Sequence, residues 1–227
     1  MNKYNKYPIV ANQNLIDFFK EKNTKEEFTL LEVGCNAGHN LKALYEIYPK
    51  AEYHGIDILP EATKQARKNF SRGIFYTFDI EDPPSYLNKH QYDYILCPDV
   101  LEHLTNPKET LKYLKTILKP DGYVIANIPN LMHWTVMADL LLRGNFTYTD
   151  VGLLDYDHKH LFTYNEIVKL FEENNFSIDE VVYIKLGKIP EEFKLFFNSL
   201  TDASNGQVDI DQYETFTYMV MAHKFDK

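Results

Sequence analysis

Residues 30–41, Leu-Leu-Glu-Val-Gly-Cys-Asn-Ala-Gly-His-Asn-Leu, constrain the fold more than any other stretch of the chain. A short apolar run ends in a loop with two glycines, Gly34 and Gly38. Leu41, Leu44, Tyr45 and Tyr48 then follow at i, i+3, i+4, i+7, the spacing of one helix face. Strand, glycine loop and helix in that order form the phosphate- or nucleotide-cradling unit of doubly wound α/β folds. Glycine admits φ > 0 and lets a ligand approach the main chain with no Cβ in the way. A dinucleotide fingerprint, Gly-x-Gly-x-x-Gly, needs glycine at 34, 36 and 39, but Asn36 and His39 stand at two of those places. The run is instead Glu-x-Gly-x-Asn-x-Gly, opened by Glu32, and its middle residue is of a type that tolerates left-handed backbone well. On its own it also reads as a tight strand-to-helix turn without a ligand.

The rest of the composition narrows the class. A chain of 227 residues with 44% hydrophobic content suits one domain, with or without an insertion. A net charge of −9 argues against a nucleic-acid groove, which needs clustered Lys and Arg. No apolar run reaches the roughly 18 residues of a membrane span, and the first residues lack the apolar stretch of a signal peptide. Two cysteines, Cys35 and Cys97, make neither a disulfide framework nor a zinc site, so a reducing cytoplasm is expected.

Along the chain, residues 1–11 read as a loose segment or flap, and 12–22 as a lead-in helix. Strands are predicted at 28–33, 52–57, 74–78, 92–97 and 123–129, with helices between them at 39–48, 60–69 and 109–118. Lys119-Pro120-Asp121-Gly122 is predicted to be a turn. Asp57 ends the second strand, where a carboxylate can accept hydrogen bonds from both hydroxyls of a ribose. The competing reading makes Asp57 a cap for the helix opening at Pro60. Thr163-x-x-Glu166 is a capping box ahead of Ile167, Val168, Leu170 and Phe171. A strand at 178–186, an amphipathic helix within 188–211 and a strand at 215–222 complete the pattern.

The Glu-x-Gly-x-Asn-x-Gly run resembles motif I of the class I S-adenosylmethionine-dependent methyltransferases, usually Asp/Glu-x-Gly-x-Gly-x-Gly. Residues 92–107 carry Leu101-Glu102-His103-Leu104-x-x-Pro107, which resembles the strand-4 region of the ubiquinone/menaquinone-type small-molecule methyltransferases. Leu118-Lys-Pro-Asp-Gly-Tyr-Val-Ile125 is similar to the passage into strand 5 of the same enzymes. The segment from Arg143 to Thr163 is similar to members common in polysaccharide and cell-surface biosynthesis, with His160 standing where their pattern has Arg.

The resemblance implies a Rossmann-like doubly wound sheet of seven strands, order 3-2-1-4-5-7-6, with strand 7 antiparallel. It implies one methyltransferase domain over residues 1–227, with substrate-recognition insertions near 130–162 and 188–211. S-adenosylmethionine is the implied cofactor and S-adenosylhomocysteine (SAH) the product. Glu32, Gly34, Cys35, Asn36 and Gly38 are implied to form the cofactor loop, and Asp57 with Ile58 to take the ribose. Asp79 and Ile80 are placed at the adenine, and Cys97, Pro98 and Leu101 at the methionine side. The acceptor is expected to be an O or N atom of a small molecule. A non-catalytic methyltransferase-like binding or regulatory protein is the alternative.

An in-line displacement at a sulfonium methyl rests mainly on holding the nucleophile collinear and close. A hydroxyl acceptor also needs a base, for which His103, His158 and His160 are the candidates. His158 and His160 also read as metal ligands at i, i+2, but no third ligand stands at a recognisable spacing, so no metal is expected. Phe193, Phe196, Phe197 and Leu200 give 188–211 an apolar face suited to the core, to covering the active site, or to a homodimer partner.

Overall fold

The computed structural model describes residues 10–225. The flap reading of 1–11 therefore falls almost wholly outside the described residues. A sheet of seven strands runs β1 Thr29–Val33, β2 Glu52–Asp57, β3 Ile74–Thr77, β4 Tyr92–Pro98, β5 Leu118–Pro129, β6 Phe176–Lys185 and β7 Thr215–Lys224. Their spatial order is β3-β2-β1-β4-β5-β7-β6. The first five pair in parallel, whereas β7 is antiparallel to both β5 and β6. This is the sheet that the resemblance implies.

Eight α-helices accompany it among the described residues: α1 Gln13–Lys22, α2 His39–Ile47, α3 Pro60–Asn69, α4 Pro107–Ile117, α5 Trp134–Arg143, α6 Tyr164–Glu172, α7 Glu191–Ala203 and α8 Ile210–Glu214. Local chemistry sets their starts. The Asn12 side chain accepts from Leu15 N at α1, and the Thr163/Glu166 capping box opens α6. Pro60 and Pro107 sit in first turns, where a missing N–H costs nothing.

The parallel strands are buried on both faces because helices cover both. Alternate residues of one strand feed opposite layers. Leu31, Ile95 and Cys97 join α4 and α6, while Leu30, Tyr94 and Leu96 join α1, α2 and α3. A third cluster, Ala138, Ile189, Phe197 and Tyr213 with Trp134 and Phe193 packed against it, unites α5, α7 and α8. The apolar face predicted within 188–211 is thus spent on packing, with Phe197 fully buried.

One local expectation needs correction. Strand β5 starts at Leu118 rather than Tyr123, and Lys119–Gly122 is an out-bowed bulge within it, not a separate turn. Tyr92 faces Leu118 and Tyr94 faces Tyr123, so two steps of β4 span five steps of β5. Among the described residues, no helix is long and apolar enough to cross a membrane.

Candidate active site

In this sheet the chain leaves β1 toward β2 on one side, while β4 and β5 build outward on the other. Crevices at such a switch point, outside the carboxyl ends of the strands, are where open α/β sheets bind ligands. A cavity of about 530 Å³ opens there, a size suited to a small molecule. Its walls come from the ends of β1 and β2, the segments that follow β1, β2, β3 and β4, residues 10–12 ahead of α1, and Lys159.

Glu32 is the penultimate residue of β1 and is 1% exposed. Its Oε1 accepts a hydrogen bond from Asn40 Nδ2 at 2.6 Å, while Oε2 is buried with no partner. Burial pushes its pKa up to about 8, against the Asn40 hydrogen bond and helped by nearby Asp57. Asn40 in turn accepts from Asn12 N at 2.7 Å, which ties this carboxylate to the start of α1.

The loop after β1 takes left-handed backbone at Gly34 (φ 69), Asn36 (φ 45) and Gly38 (φ 73). Gly34 is close-packed as well: a Cβ there would sit 2.7 Å from Val100 Cγ2. Gly38 serves a different purpose. It is buried, and a Cβ would press on Phe75 and Ala66, so it lets α2 sit against α3 and β3 and does not line the cavity.

Asp57 is half-buried at the tip of β2, and both oxygens accept backbone N–H groups, from Leu59 at 2.8 Å and from Asn36 at 2.9 Å. Burial raises its pKa, opposed by those two bonds. The cap of α3 is Leu59, so Asp57 makes a turn ahead of the helix rather than capping it. Ile58 lines the cavity beside it. After β3, exposed Asp79 and buried Ile80 both line the wall.

The expected methionine side is only partly at the surface of the cavity. Pro98 lines it, but Cys97 and Leu101 are fully buried behind the wall. Asp99, Val100 and Leu104 stand there instead. Asp99 takes positive φ (53) and accepts from Asn127 Nδ2 at 2.7 Å, a strained position that nothing in the sequence announces. Burial pushes both thiols above their usual range, which leaves Cys35 and Cys97 un-ionised at neutral pH.

Of the three histidines, His103 lines the cavity and His158 and His160 do not. His158 stands behind His103, with ring centroids 4.8 Å apart. His160 stacks on Phe162, and its Nε2 lies 3.4 Å from the Thr105 carbonyl. Residues that the sequence did not assign to the ligand also line the wall, among them Val10, Ala11, Asn40, Phe78, Leu104 and Lys159.

Against known proteins, residues 4–181 match the family model described as a methyltransferase domain. The chain belongs to that family. It is 22% identical over 168 residues to a ubiquinone biosynthesis O-methyltransferase of Shewanella halifaxensis, covering 73% of this chain and 70% of the relative. It is 34% identical over 88 residues to a malonyl-[acyl-carrier protein] O-methyltransferase of Anoxybacillus flavithermus, covering 38% of this chain and 33% of the relative. The chain spans as little as 6% of the length of the curated relatives it matches. Among solved structures, magnesium protoporphyrin IX methyltransferase from Synechocystis, with bound SAH, superposes with a TM-score of 0.64 at 14% identity. That match covers 94% of this chain and 81% of the neighbour, and speaks for the fold.

Family and sheet order together make this a methyltransferase domain with the class I sheet, a fold that in the neighbour above holds SAH, the product of S-adenosylmethionine. The residues present fit that group. Glu32 offers a buried, unpartnered carboxylate oxygen, and the glycine loop exposes Gly34 main chain at the cavity. Asp57 keeps lone pairs beyond the two it uses.

Proposed function

We propose that this chain transfers the methyl group of S-adenosylmethionine to an oxygen atom of a small-molecule acceptor. The observation that carries the reading is the placement of three of the carboxylates that line one cavity: Glu32 near the end of β1, Asp57 at the tip of β2 and Asp79 beyond β3. Glu32 suits the amino group of the ligand, Asp57 the ribose hydroxyls, and Asp79 with Ile80 the adenine. The loop of Gly34, Cys35 and Asn36 brings main chain to the ligand. The O-methyltransferase relatives support oxygen over nitrogen as the acceptor atom.

When bound, S-adenosylmethionine supplies an electrophilic methyl group on a sulfonium, whose neutral thioether leaves readily. The chain has to hold the acceptor oxygen in line near that methyl and exclude competing water. Val100 and Leu104 give the wall an apolar stretch for that purpose. A hydroxyl acceptor must also lose its proton, and His103 is the candidate base that faces the cavity.

The test has two arms. Calorimetric titration with S-adenosylmethionine and, separately, NAD, on wild type and Asp57→Ala, should give micromolar binding of the former alone, lost in the variant. Incubation with methyl-labelled S-adenosylmethionine and a panel of phenols, carboxylic acids and amines should then give SAH and label in an oxygen acceptor. Binding without turnover on any acceptor would favour the non-catalytic reading. Absence of binding by folded protein would overturn the proposal.

A further inference from the structure

At the cavity wall, the fold brings His158 against Glu102 and His103, a pair to which no motif links it. Ligand atoms of Glu102, His103 and His158 all lie within 4.8 Å of one another. The two histidines are 55 residues apart in the chain. Backbone bonds close that gap: the Glu102 carbonyl accepts from Lys159 N at 2.8 Å and from His160 N at 3.0 Å. The segment 158–160 is thereby clamped onto residue 102.

Glu102 is 1% exposed, and neither of its carboxylate oxygens accepts a hydrogen bond. Burying a carboxylate in that condition is costly unless a cation meets it. Asp99 and Asp155 stand close enough to add negative charge to the same spot. No Lys or Arg forms an ion pair with Glu102 among the described residues.

The imidazoles are oriented to match. His103 Nδ1 lies 3.1 Å from the Asp157 carbonyl, and His158 Nδ1 lies 3.1 Å from the Leu153 carbonyl. A carbonyl can only accept, so each Nδ1 carries a proton, and in the neutral ring the lone pair is on Nε2. A backbone carbonyl holding Nδ1–H is the usual support behind a metal-ligating histidine.

We propose that Glu102, His103 and His158 form a binding site for a divalent first-row transition cation, with the two Nε2 atoms and the carboxylate as ligands. Two imidazoles and one carboxylate suit zinc, cobalt, manganese or iron(II), and leave coordination positions open. Bonds of about 2.1 Å place ligand atoms at most about 4.2 Å apart, so binding an ion requires the three groups to draw together from their present spacing. His103 forms the cavity wall, which directs the open positions toward the acceptor.

The role of the ion rests on the oxygen-methylation reading; its binding does not. A hydroxyl held by such a cation has a lowered pKa. Its proton leaves to solvent, then the new C–O bond forms as the C–S bond breaks, with that electron pair staying on sulfur. His103 then acts as a ligand rather than as the base.

The test is titration of the metal-stripped full chain with Co²⁺, read by visible absorption, and with Zn²⁺ and Mn²⁺ by calorimetry. S-adenosylmethionine binding is measured in parallel. One ion per chain is expected, with affinity falling at least tenfold in His158→Ala and Glu102→Gln and unchanged in His160→Ala. Should Glu102→Gln fail to fold, half-exposed His158 and the Co²⁺ spectrum of wild type still decide the matter. Wild type that binds S-adenosylmethionine but none of the three ions would overturn the site and leave the methyltransferase reading standing. Ion binding that survives in His158→Ala would overturn the assignment of ligands. Ion binding without S-adenosylmethionine binding would keep the site and sink the proposed function instead.

Discussion

The backbone N–H of Asn36 donates to Oδ2 of Asp57 at 2.9 Å, so the glycine loop after β1 and the tip of β2 are one hydrogen-bonded unit. Asp57→Asn preserves the shape but replaces one acceptor oxygen with a donor NH₂ and removes the charge. Hydrogen bonds to a charged group contribute about 1.5–3 kcal/mol each. The expected result is a loss of affinity for S-adenosylmethionine of roughly tenfold to a hundredfold, read by calorimetry. Circular dichroism should find the fold intact. Unchanged affinity would remove Asp57 from the site.

Gly34 and Gly144 have nearly the same left-handed backbone, φ 69 and φ 67, in different surroundings. A Cβ at Gly144 meets nothing within 4 Å, whereas one at Gly34 meets Val100 Cγ2 at 2.7 Å. Gly144→Ala should therefore cost about 1 kcal/mol, the conformational penalty alone. Gly34→Ala should cost at least about 1 kcal/mol more, since overpacking adds to that strain. Adding Val100→Ala should return part of the difference in a double-mutant cycle by urea unfolding. Equal costs at the two glycines would show that the loop relaxes away from Val100.

How much of this was legible in the sequence depended on whether the physics was local. Gly34 and Asp57 were readable because a strand-to-helix turn and a strand tip impose residue types at short range. The apolar run along 92–97, broken only by Asp93, identifies a buried strand. Gly38 was readable as a glycine but not for its reason, since the pressure on it comes from Phe75 and Ala66, far along the chain. Cys97 and Leu101 are assigned to the ligand by position, yet the pleat of β4 turns Cys97 into the core and the short 3-10 turn after the strand buries Leu101. The bulge at 119–122 is visible only in the register of β4 against β5. The grouping of Glu102 and His103 with His158 depends on a clamp between distant backbones, which no spacing encodes.

Asp93 is buried at the start of the central strand β4, and it accepts from Lys119 Nζ at 2.6 Å, Lys25 Nζ at 2.8 Å and Thr29 N at 2.9 Å. Burial alone would raise its pKa, but these donors together hold it well below the usual carboxylate range. A carboxyl group with a depressed folded-state pKa stabilises fully above its unfolded value near 4. That contribution drains away as pH falls through the folded value. Asp93→Asn should therefore destabilise at pH 7 by about 1–3 kcal/mol, toward the lower end because both lysines are half-exposed. The gap between the proteins should narrow steadily below pH 4 in thermal melts. A gap that stays constant down to pH 2 would mean that the charge of Asp93 contributes nothing.

Glu32 should show the opposite sign, and a conflict between stability and binding. Its pKa, about 8 in the fold, lies above the unfolded value, so the folded chain holds that proton more tightly. Burying Glu32 then costs nothing below pH 4 and costs more as pH climbs toward 8. Glu32→Gln removes that cost but still buries a polar group, so a net gain on the order of 2 kcal/mol at pH 7.5 is expected. In a domain of this size that is a rise in Tm of roughly 4–8 °C, and it should vanish near pH 4. Binding should move the other way. Pairing with the amino group of S-adenosylmethionine requires the ionised carboxylate, so wild-type affinity should rise between pH 5.5 and 7.5. In Glu32→Gln affinity should be weaker and flat over the same range. A variant that is both more stable and equally tight would show that Oε2 of Glu32, though buried and unpartnered, is not held ready for the ligand.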